Sequence, residues 1–148
     1  MAHITGMAVD VTVSSSGGTD NLVYLGVFGI HGGREFCLDT SKDDFKSGSK
    51  TTFIIGDLVW GTPSQRVPTT AGKDAFAHNK IGLAGVTHVY LRKYTRRHAD
   101  DDDALRLTEV HVYLTDQETA RTFVLDGPIT LATEHGTTVW LKDKEKTT

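Results

Sequence analysis

Alternation of apolar and polar residues is the dominant pattern along this chain. Val9, Val11 and Val13 alternate with polar residues, and the run stops at a Ser-Gly turn. A period of two places alternate side chains on one face of a strand, so the pattern predicts a half-buried β-strand. The next run, over 23–28, is apolar on both faces and therefore predicts a central strand of a sheet.

The same pattern continues along the rest of the chain. It predicts strands at 35–39, 51–55, 86–94, 105–114, 120–125 and 138–141. We place the turn before the third strand at Gly32-Gly33. No apolar stripe with helical spacing persists for three turns. About eight short strands separated by turn residues are typical of an all-β sandwich.

Residues 56–85 interrupt the alternation. They lack a clean period and contain Pro63 and Pro68 among several glycines. Irregular connections of this length are uncommon inside a compact domain and tend to carry function. We predict a long insertion between the fourth and fifth strands. The 148 residues suit one domain, 1–148, with its core at 8–142.

Composition supports this interpretation and excludes several classes of protein. The 15 glycines against 3 prolines suit many tight turns. A net charge of −3 with 24% charged residues fits neither a globally basic nucleic-acid binder nor an acidic disordered chain. A single cysteine, Cys37, excludes an intramolecular disulfide and is expected to be a structural thiol. Neither a signal peptide nor a membrane-spanning run is visible, so we expect a soluble chain. Its compartment stays open, and peripheral association with a membrane is one alternative.

Catalytic sequence templates are absent. The chain has no nucleophile elbow, no phosphate-binding loop with a lysine and no zinc-protease motif. His88 and His111 fall on predicted strands and could become neighbours in the fold, but surface histidines are the favoured interpretation. We therefore predict a protein without catalytic activity. The insertion at 56–85 is the one segment where such an activity stays open.

Three predicted loops are rich in oxygen atoms that could bind a cation. They cover 16–21, 39–44 and 100–103. Calcium takes roughly six to eight oxygen ligands from carboxylates, carbonyls and water. Loops at one end of a sandwich lie close together, so distant segments can share one ion. Plain turn residues are the alternative, and composition alone favours it.

A cluster of basic residues precedes the third of these loops. It comprises Arg92, Lys93, Arg96 and Arg97. Cations near an anionic membrane each contribute about 1 kcal/mol of attraction. The aspartates at 100–103 could instead neutralise the cluster. Nucleic-acid phosphates are the weakest alternative, because the chain is acidic overall and lacks a platform of aromatic and basic residues.

Several of these segments resemble the signatures of PLAT domains, the lipoxygenase-homology β-sandwiches. The parallels are at 18–29, 35–39, 43–53, 89–95 and Asp103-Ala104. Within that family, the pattern is nearest to the carboxy-terminal membrane-binding domains of clostridial alpha-toxins. The resemblance implies an eight-stranded antiparallel β-sandwich of two four-stranded sheets. It also implies docking on lipid or on a partner protein, often through calcium.

The resemblance further implies two calcium sites. The first would use the segment from Ser16 to Gly18, Asp103 and the carbonyl of Ala104. The second would use Thr19, Asp20, Lys42, Asp43 and Asp44, with backbone oxygens from Thr19 and Lys42. Ser16 stands where the family pattern has a carboxylate, which weakens the first site. The ammonium of Lys42 either bends away into solvent or repels the second ion. With the resemblance, ion binding is favoured over plain turns, and the second site over the first.

The insertion is longer than the resemblance accounts for. Its aromatic residues Trp60 and Phe76 are candidates for tips that enter a membrane, since Trp favours the lipid interface. The alternative is that both rings are buried on the sandwich.

Together these observations predict a non-catalytic, calcium-dependent module that binds a phospholipid membrane surface. The alternative is a protein-interaction or targeting β-sandwich that docks a separate partner protein, with calcium structural or absent. No nucleic-acid partner is expected, and the oligomeric state stays open.

Overall fold

A computed structural model describes residues 3–19, 22–30, 32–39, 45–56, 65–66, 81–94, 104–132 and 136–145. These residues form ten β-strands and no helix. In chain order the strands are β1 Gly6–Val13, β2 Val23–Gly29, β3 Gly32–Cys37, β4 Lys50–Gly56, β5 Gln65–Arg66, β6 Val86–Lys93, β7 Leu105–Thr115, β8 Ala120–Val124, β9 Ile129–Leu131 and β10 Thr138–Asp143. The all-β prediction is confirmed.

The strands form one curled sheet that consists of two four-stranded halves. Its order is β3-β2-β6-β10-β8-β7-β1-β4-β5, with β9 beside β7. The first half is β3-β2-β6-β10 and the second half is β8-β7-β1-β4. Strand β10 joins them, because it pairs with β6 along four residues and with β8 through Lys142 and Asp143. All pairs are antiparallel except β4 with β5. The predicted eight strands in two layers are present, with the short β5 and β9 added.

The hydrophobic core lies between the two halves and is built from alternate residues of their strands. Val9, Val11 and Val13 of β1 face inward. The other inward residues of the central strands are Val23, Leu25, Val27, Val89, Leu91, Val110, Val112 and Leu114. Full burial of such a side chain contributes about 1.5–3 kcal/mol. The period-two pattern thus selected the buried faces of β1, β6 and β7 correctly.

The hairpin between β2 and β3 corrects one detail of the prediction. Gly29 pairs with Gly32, and Phe28 pairs with Gly33. The chain therefore turns between Gly29 and Gly32, and Gly32-Gly33 already belong to β3. A Gly-Gly pair is a common turn signal, and for this reason the sequence-based prediction placed the turn too late in the chain.

The connections gather at two ends of the sheet. The loop end is where β1, β3 and β6 finish and where β2, β4 and β7 begin. The β1–β2, β3–β4 and β6–β7 connections therefore leave and rejoin the sheet there. The predicted insertion joins the sheet at the opposite end. There Gly56, the last residue of β4, pairs with Gly6, and the carbonyl of Ile81 accepts a hydrogen bond from the amide of Ile4 at 2.8 Å.

Candidate functional site

The β1–β2 and β3–β4 connections are hydrogen-bonded to each other at the loop end. The amide of Thr19 donates to the carbonyl of Phe45 at 3.0 Å. The amide of Gly18 donates to the hydroxyl of Ser47 at 2.8 Å. The amide of Gly48 donates to the carbonyl of Ser14 at 3.0 Å. The described parts of the two connections that carry the first and second oxygen-rich segments therefore adjoin each other.

Thr19 is the described member of the second predicted calcium site. It is buried, and its amide is the donor to Phe45. Asp20, Lys42, Asp43 and Asp44 lie outside the described residues. In the sequence, Asp20 follows Thr19 directly and Asp44 precedes Phe45 directly. The hydrogen bond thus joins the chain neighbours of Asp20 and Asp44. This arrangement fits an ion shared by two loops. The ligand set itself stays a prediction.

The first predicted site has a different environment. The hydroxyl of Ser16 accepts a hydrogen bond from Nη1 of Arg106 at 3.2 Å and lies 3.2 Å from the hydroxyl of Ser14. Gly18 and Ala104 are described, whereas Asp103 is not. The guanidinium of Arg106 thus lies beside an oxygen that the first calcium ion would need, and two cations at short range repel each other. The first site itself stays a prediction.

Side chains that typically bind metals do not cluster within the described part of the chain. Within the described ranges, no group of three or more His, Cys, Asp or Glu side chains could hold a metal ion. His88 lies on β6 in the first half of the sheet, and His111 lies on β7 in the second half. The two histidines therefore do not come together, in agreement with the surface interpretation.

Arg92 of the basic cluster is engaged on the outer face of the first half. Its Nε and Nη2 atoms donate to the two carboxylate oxygens of Glu35 at 2.8 and 2.9 Å. Its guanidinium also lies over the ring of Tyr24, 4.6 Å from the centroid. The hydrogen bond from Arg92 holds the pKa of the Glu35 carboxyl below its ordinary value. A lipid phosphate at Arg92 would have to compete with this bidentate pair.

Of the other three residues in the basic cluster, only Lys93 lies within the described residues. Lys93 is 1% exposed and follows Val89 and Leu91 on the inward face of β6. It therefore presents almost no surface to a lipid headgroup. Arg96 and Arg97 lie outside the described residues, and their predicted contact with lipid stays a prediction.

Two exposed apolar residues flank the loops at this end, and the sequence analysis missed both. The amide of Tyr94 donates to the carbonyl of Leu22 at 2.7 Å. Tyr94 is 45% exposed and Leu22 is 39% exposed. The signal was available, because Leu22 directly precedes β2 and Tyr94 directly follows β6. Trp60 and Phe76, the predicted tips, lie outside the described residues.

A row of aromatic rings covers the outer face of the first half. The rings of Phe28 and Tyr90 are nearly parallel at 6.0 Å, and Trp140 meets Tyr90 edge-on at 5.1 Å. Burial raises the pKa of Tyr90 to about 12, and the hydrogen bond from its hydroxyl to Glu35 adds to this effect. Trp140 is 60% exposed, so this face presents a large apolar ring to its surroundings.

The outer face of the second half is polar instead. It carries a recess of about 340 Å³ lined by Asp10, Thr12, Lys50, Glu109, His111, Tyr113 and Thr122. Nε2 of His111 lies 2.8 Å from a carboxylate oxygen of Glu109, and this contact lowers the pKa of Glu109. Asp10 accepts a hydrogen bond from Thr52. Several charged groups that line this recess thus already have partners within the sheet.

Comparison with known proteins defines the class of fold. No protein-family model matches the sequence, and no curated protein sequence matches it. Among solved structures, the alpha toxin of Clostridium absonum is similar with a TM-score of 0.60 and 18% identity, over 95% of this chain and 32% of that chain. The alpha-toxin of Clostridium perfringens avian strain SWCP gives a TM-score of 0.62 and 14% identity, over 95% and 32%. A lipoxygenase variant, Delta413-417:GS LOX, gives 0.58 and 16%, over 98% and 17%.

These similarities show the fold, which is that of PLAT-like β-sandwiches. The chain spans about a third of each toxin, 32%, and about a sixth of the lipoxygenase, 17%. In each neighbour the matching fold is thus one part of a longer protein. Within the part of this chain that is described, no helix has the length and apolarity needed to cross a membrane.

Proposed function

We propose that this chain is a non-catalytic module that docks on a phospholipid membrane through its loop end. The PLAT-like fold supports the proposal, since that family docks on lipid or on partner proteins. The observation that carries it is the pair of exposed apolar residues, Leu22 and Tyr94, on adjoining strand ends beside the β1–β2 loop. Transfer of such side chains from water into the lipid interface gives a favourable free energy of about 25 cal/mol per Å² of apolar area.

Calcium at the second predicted site is part of the proposal. Its ligands would be Thr19, Asp20, Lys42, Asp43 and Asp44, and the hydrogen bond from Thr19 to Phe45 supports their grouping. When bound, the ion would supply positive charge that attracts a lipid phosphate. Affinities of extracellular calcium modules are about 10⁻⁴ to 10⁻³ M, so millimolar calcium is needed to test the site.

Additional lipid contacts are proposed at Arg96 and Arg97, which could add electrostatic attraction to anionic headgroups. Trp60 and Phe76 are proposed as a separate contact. The insertion that carries them joins the sheet at Gly56 and Ile81, at the end opposite to Leu22. The two sets of contacts can therefore be tested separately by mutation.

Docking on a partner protein is a second candidate function, and one observation favours it. Protein interfaces are enriched in aromatic residues and arginine. The outer face of the first half presents Phe28, Tyr90 and Trp140 in one row beside Arg92. In this alternative the sheet face, and not the loop end, would be the binding surface.

Vesicle sedimentation tests the first proposal. The protein is mixed with vesicles of phosphatidylcholine, with and without phosphatidylserine, in 5 mM CaCl₂ or in chelator; this concentration exceeds a dissociation constant of about 1 mM. We expect sedimentation with the phosphatidylserine vesicles and at least about tenfold weaker binding in chelator, which is about 1.4 kcal/mol. Absence of binding to every vesicle would contradict the membrane proposal, and binding that is unchanged in chelator would contradict the role of calcium.

A further inference from the structure

Arg106, the second residue of β7, connects three segments at the loop end. Its Nη1 donates to the hydroxyl of Ser16 at 3.2 Å, and its Nε donates to the hydroxyl of Thr130 on β9 at 3.2 Å. Its amide donates to the carbonyl of Gly17 at 2.8 Å, and its carbonyl accepts from the amide of Ser14 at 2.8 Å. One residue thus joins the β1–β2 loop to β7 and β9 through four hydrogen bonds.

Gly17 brings the loop into direct contact with this arginine. A Cβ atom at position 17 would lie 2.5 Å from the Cβ of Arg106 and 3.0 Å from its amide nitrogen. Distances this short exclude any side chain at position 17 without movement of the backbone. The position of the loop over Arg106 is therefore determined by backbone packing as well as by the guanidinium.

The chemistry of the contact is that of a cation among oxygen atoms. A guanidinium stays positively charged at every pH relevant to proteins and donates only. Ser16 and Thr130 supply neutral oxygens to it. Ser16 is also the position where the PLAT pattern calls for a carboxylate ligand. A calcium ion there would lack that carboxylate and would meet the positive charge of Arg106.

We propose that the guanidinium of Arg106 takes the place of the first calcium ion and holds the β1–β2 loop without metal. Any calcium dependence is then confined to the second site. The inference concerns the regulation of the proposed docking end and rests on that proposal. Its test uses calcium alone, without lipid, so that this inference and the membrane proposal can fail separately.

Ser16→Asp is the decisive variant, because the two possibilities predict opposite results for it. With Arg106 in place, the new carboxylate forms an ion pair with the guanidinium. We therefore expect a higher unfolding midpoint in chelator and no gain in calcium stoichiometry by titration calorimetry with CaCl₂. A gain in calcium affinity or stoichiometry in Ser16→Asp would overturn the inference.

Two further variants and one control variant complete the test. Arg106→Gln should lower the unfolding midpoint in chelator by at least about 3 °C, whereas Arg34→Gln, which removes an arginine on β3, should change it less. The double variant Ser16→Asp with Arg106→Gln should bind one more calcium ion than the unmodified chain. An unchanged midpoint in Arg106→Gln, or no additional ion in the double variant, would also overturn the inference.

Discussion

The amide of Tyr94 donates a hydrogen bond to the carbonyl of Leu22 at 2.7 Å, between the end of β6 and the start of β2. The bond extends the pairing of Val23 with Lys93 by one step beyond the strands. It holds the exposed apolar residues Leu22 and Tyr94 on adjoining backbones. Leu22 is three positions after Thr19 in the sequence. A surface of this kind, next to loops proposed to bind calcium, is the basis of the proposed membrane contact.

Calcium binding at the second site predicts a stability change that depends on Asp20. A ligand that binds only the folded chain stabilises it by RT ln(1 + [L]/Kd), which is about 1.4 kcal/mol at tenfold excess over Kd. We expect 10 mM CaCl₂ to raise the unfolding midpoint by about 3–5 °C, and Asp20→Ala to abolish the increase.

Asp126→Ala is the matched control, because it removes one carboxylate from an exposed position after β8. It should keep the full calcium response. If calcium leaves the midpoint of the unmodified chain unchanged, or if Asp20→Ala responds like Asp126→Ala, the calcium site is refuted.

The Glu35–Arg92 pair predicts a dependence of stability on pH. The pKa of Glu35 is lowered in the folded chain, so its contribution is present above the ordinary value of 4.5 and is lost as the pH falls through the folded value. Unfolding midpoints measured from pH 7 to pH 3 should therefore decrease less in Glu35→Gln than in the unmodified chain. At pH 7 the substitution should cost about 1–2 kcal/mol, because an uncharged amide with one acceptor oxygen replaces the two carboxylate oxygens to which Arg92 and Tyr90 donate. Parallel pH profiles in the two proteins would contradict this assignment.

Gly26 allows the ring of Tyr90 to lie across β2. A Cβ at position 26 would be 2.1 Å from Cζ of that ring. Gly26→Ala should displace Tyr90 from Glu35 and Trp140 and cost about 1–3 kcal/mol. In a Trp60→Phe background, the fluorescence of Trp140 should change with Gly26→Ala, since Tyr90 packs against it at 5.1 Å. Unchanged stability together with unchanged fluorescence would contradict this role of the glycine.

Trp140 distinguishes the loop end from the aromatic sheet face as the membrane contact. Its ring is exposed on the sheet face and not at the loop end. If the loop end docks on membranes, Trp140→Ser should keep vesicle affinity within about twofold, or about 0.4 kcal/mol. A tenfold loss in vesicle sedimentation would instead identify the aromatic face as the membrane contact.

The alternation of residues was sufficient to predict much of the fold. It identified the inward residues of the long strands because one face of each is buried in a single core. Strands β5 and β9 were missed because two and three residues are too few to establish a period. The same parity also placed Lys93 inward, two residues after Leu91. We interpreted its charge as a surface feature, but its position in the strand determined its burial.

The contacts of the candidate site could be predicted only in part. Glu35 and Arg92 are 57 residues apart and lie on strands separated by β2, so no local pattern links them. Arg106 lies between Leu105 and Leu107, whose burial turns it outward, but its bond to Ser16 depends on how the β1–β2 loop folds back. Such contacts follow from the order of strands in the sheet, which alternation does not specify.

The central claim is that the loop end contacts the membrane, and a comparison of two variants by vesicle sedimentation tests it most directly. Leu22→Ser with Tyr94→Ser removes the apolar pair, and Ile30→Ser is the matched control, since Ile30 is 81% exposed on the turn at the opposite end. With phosphatidylserine-containing vesicles and calcium, the double variant should bind at least about tenfold more weakly, while Ile30→Ser should bind like the unmodified chain. Equal binding of all three folded proteins would contradict the claim.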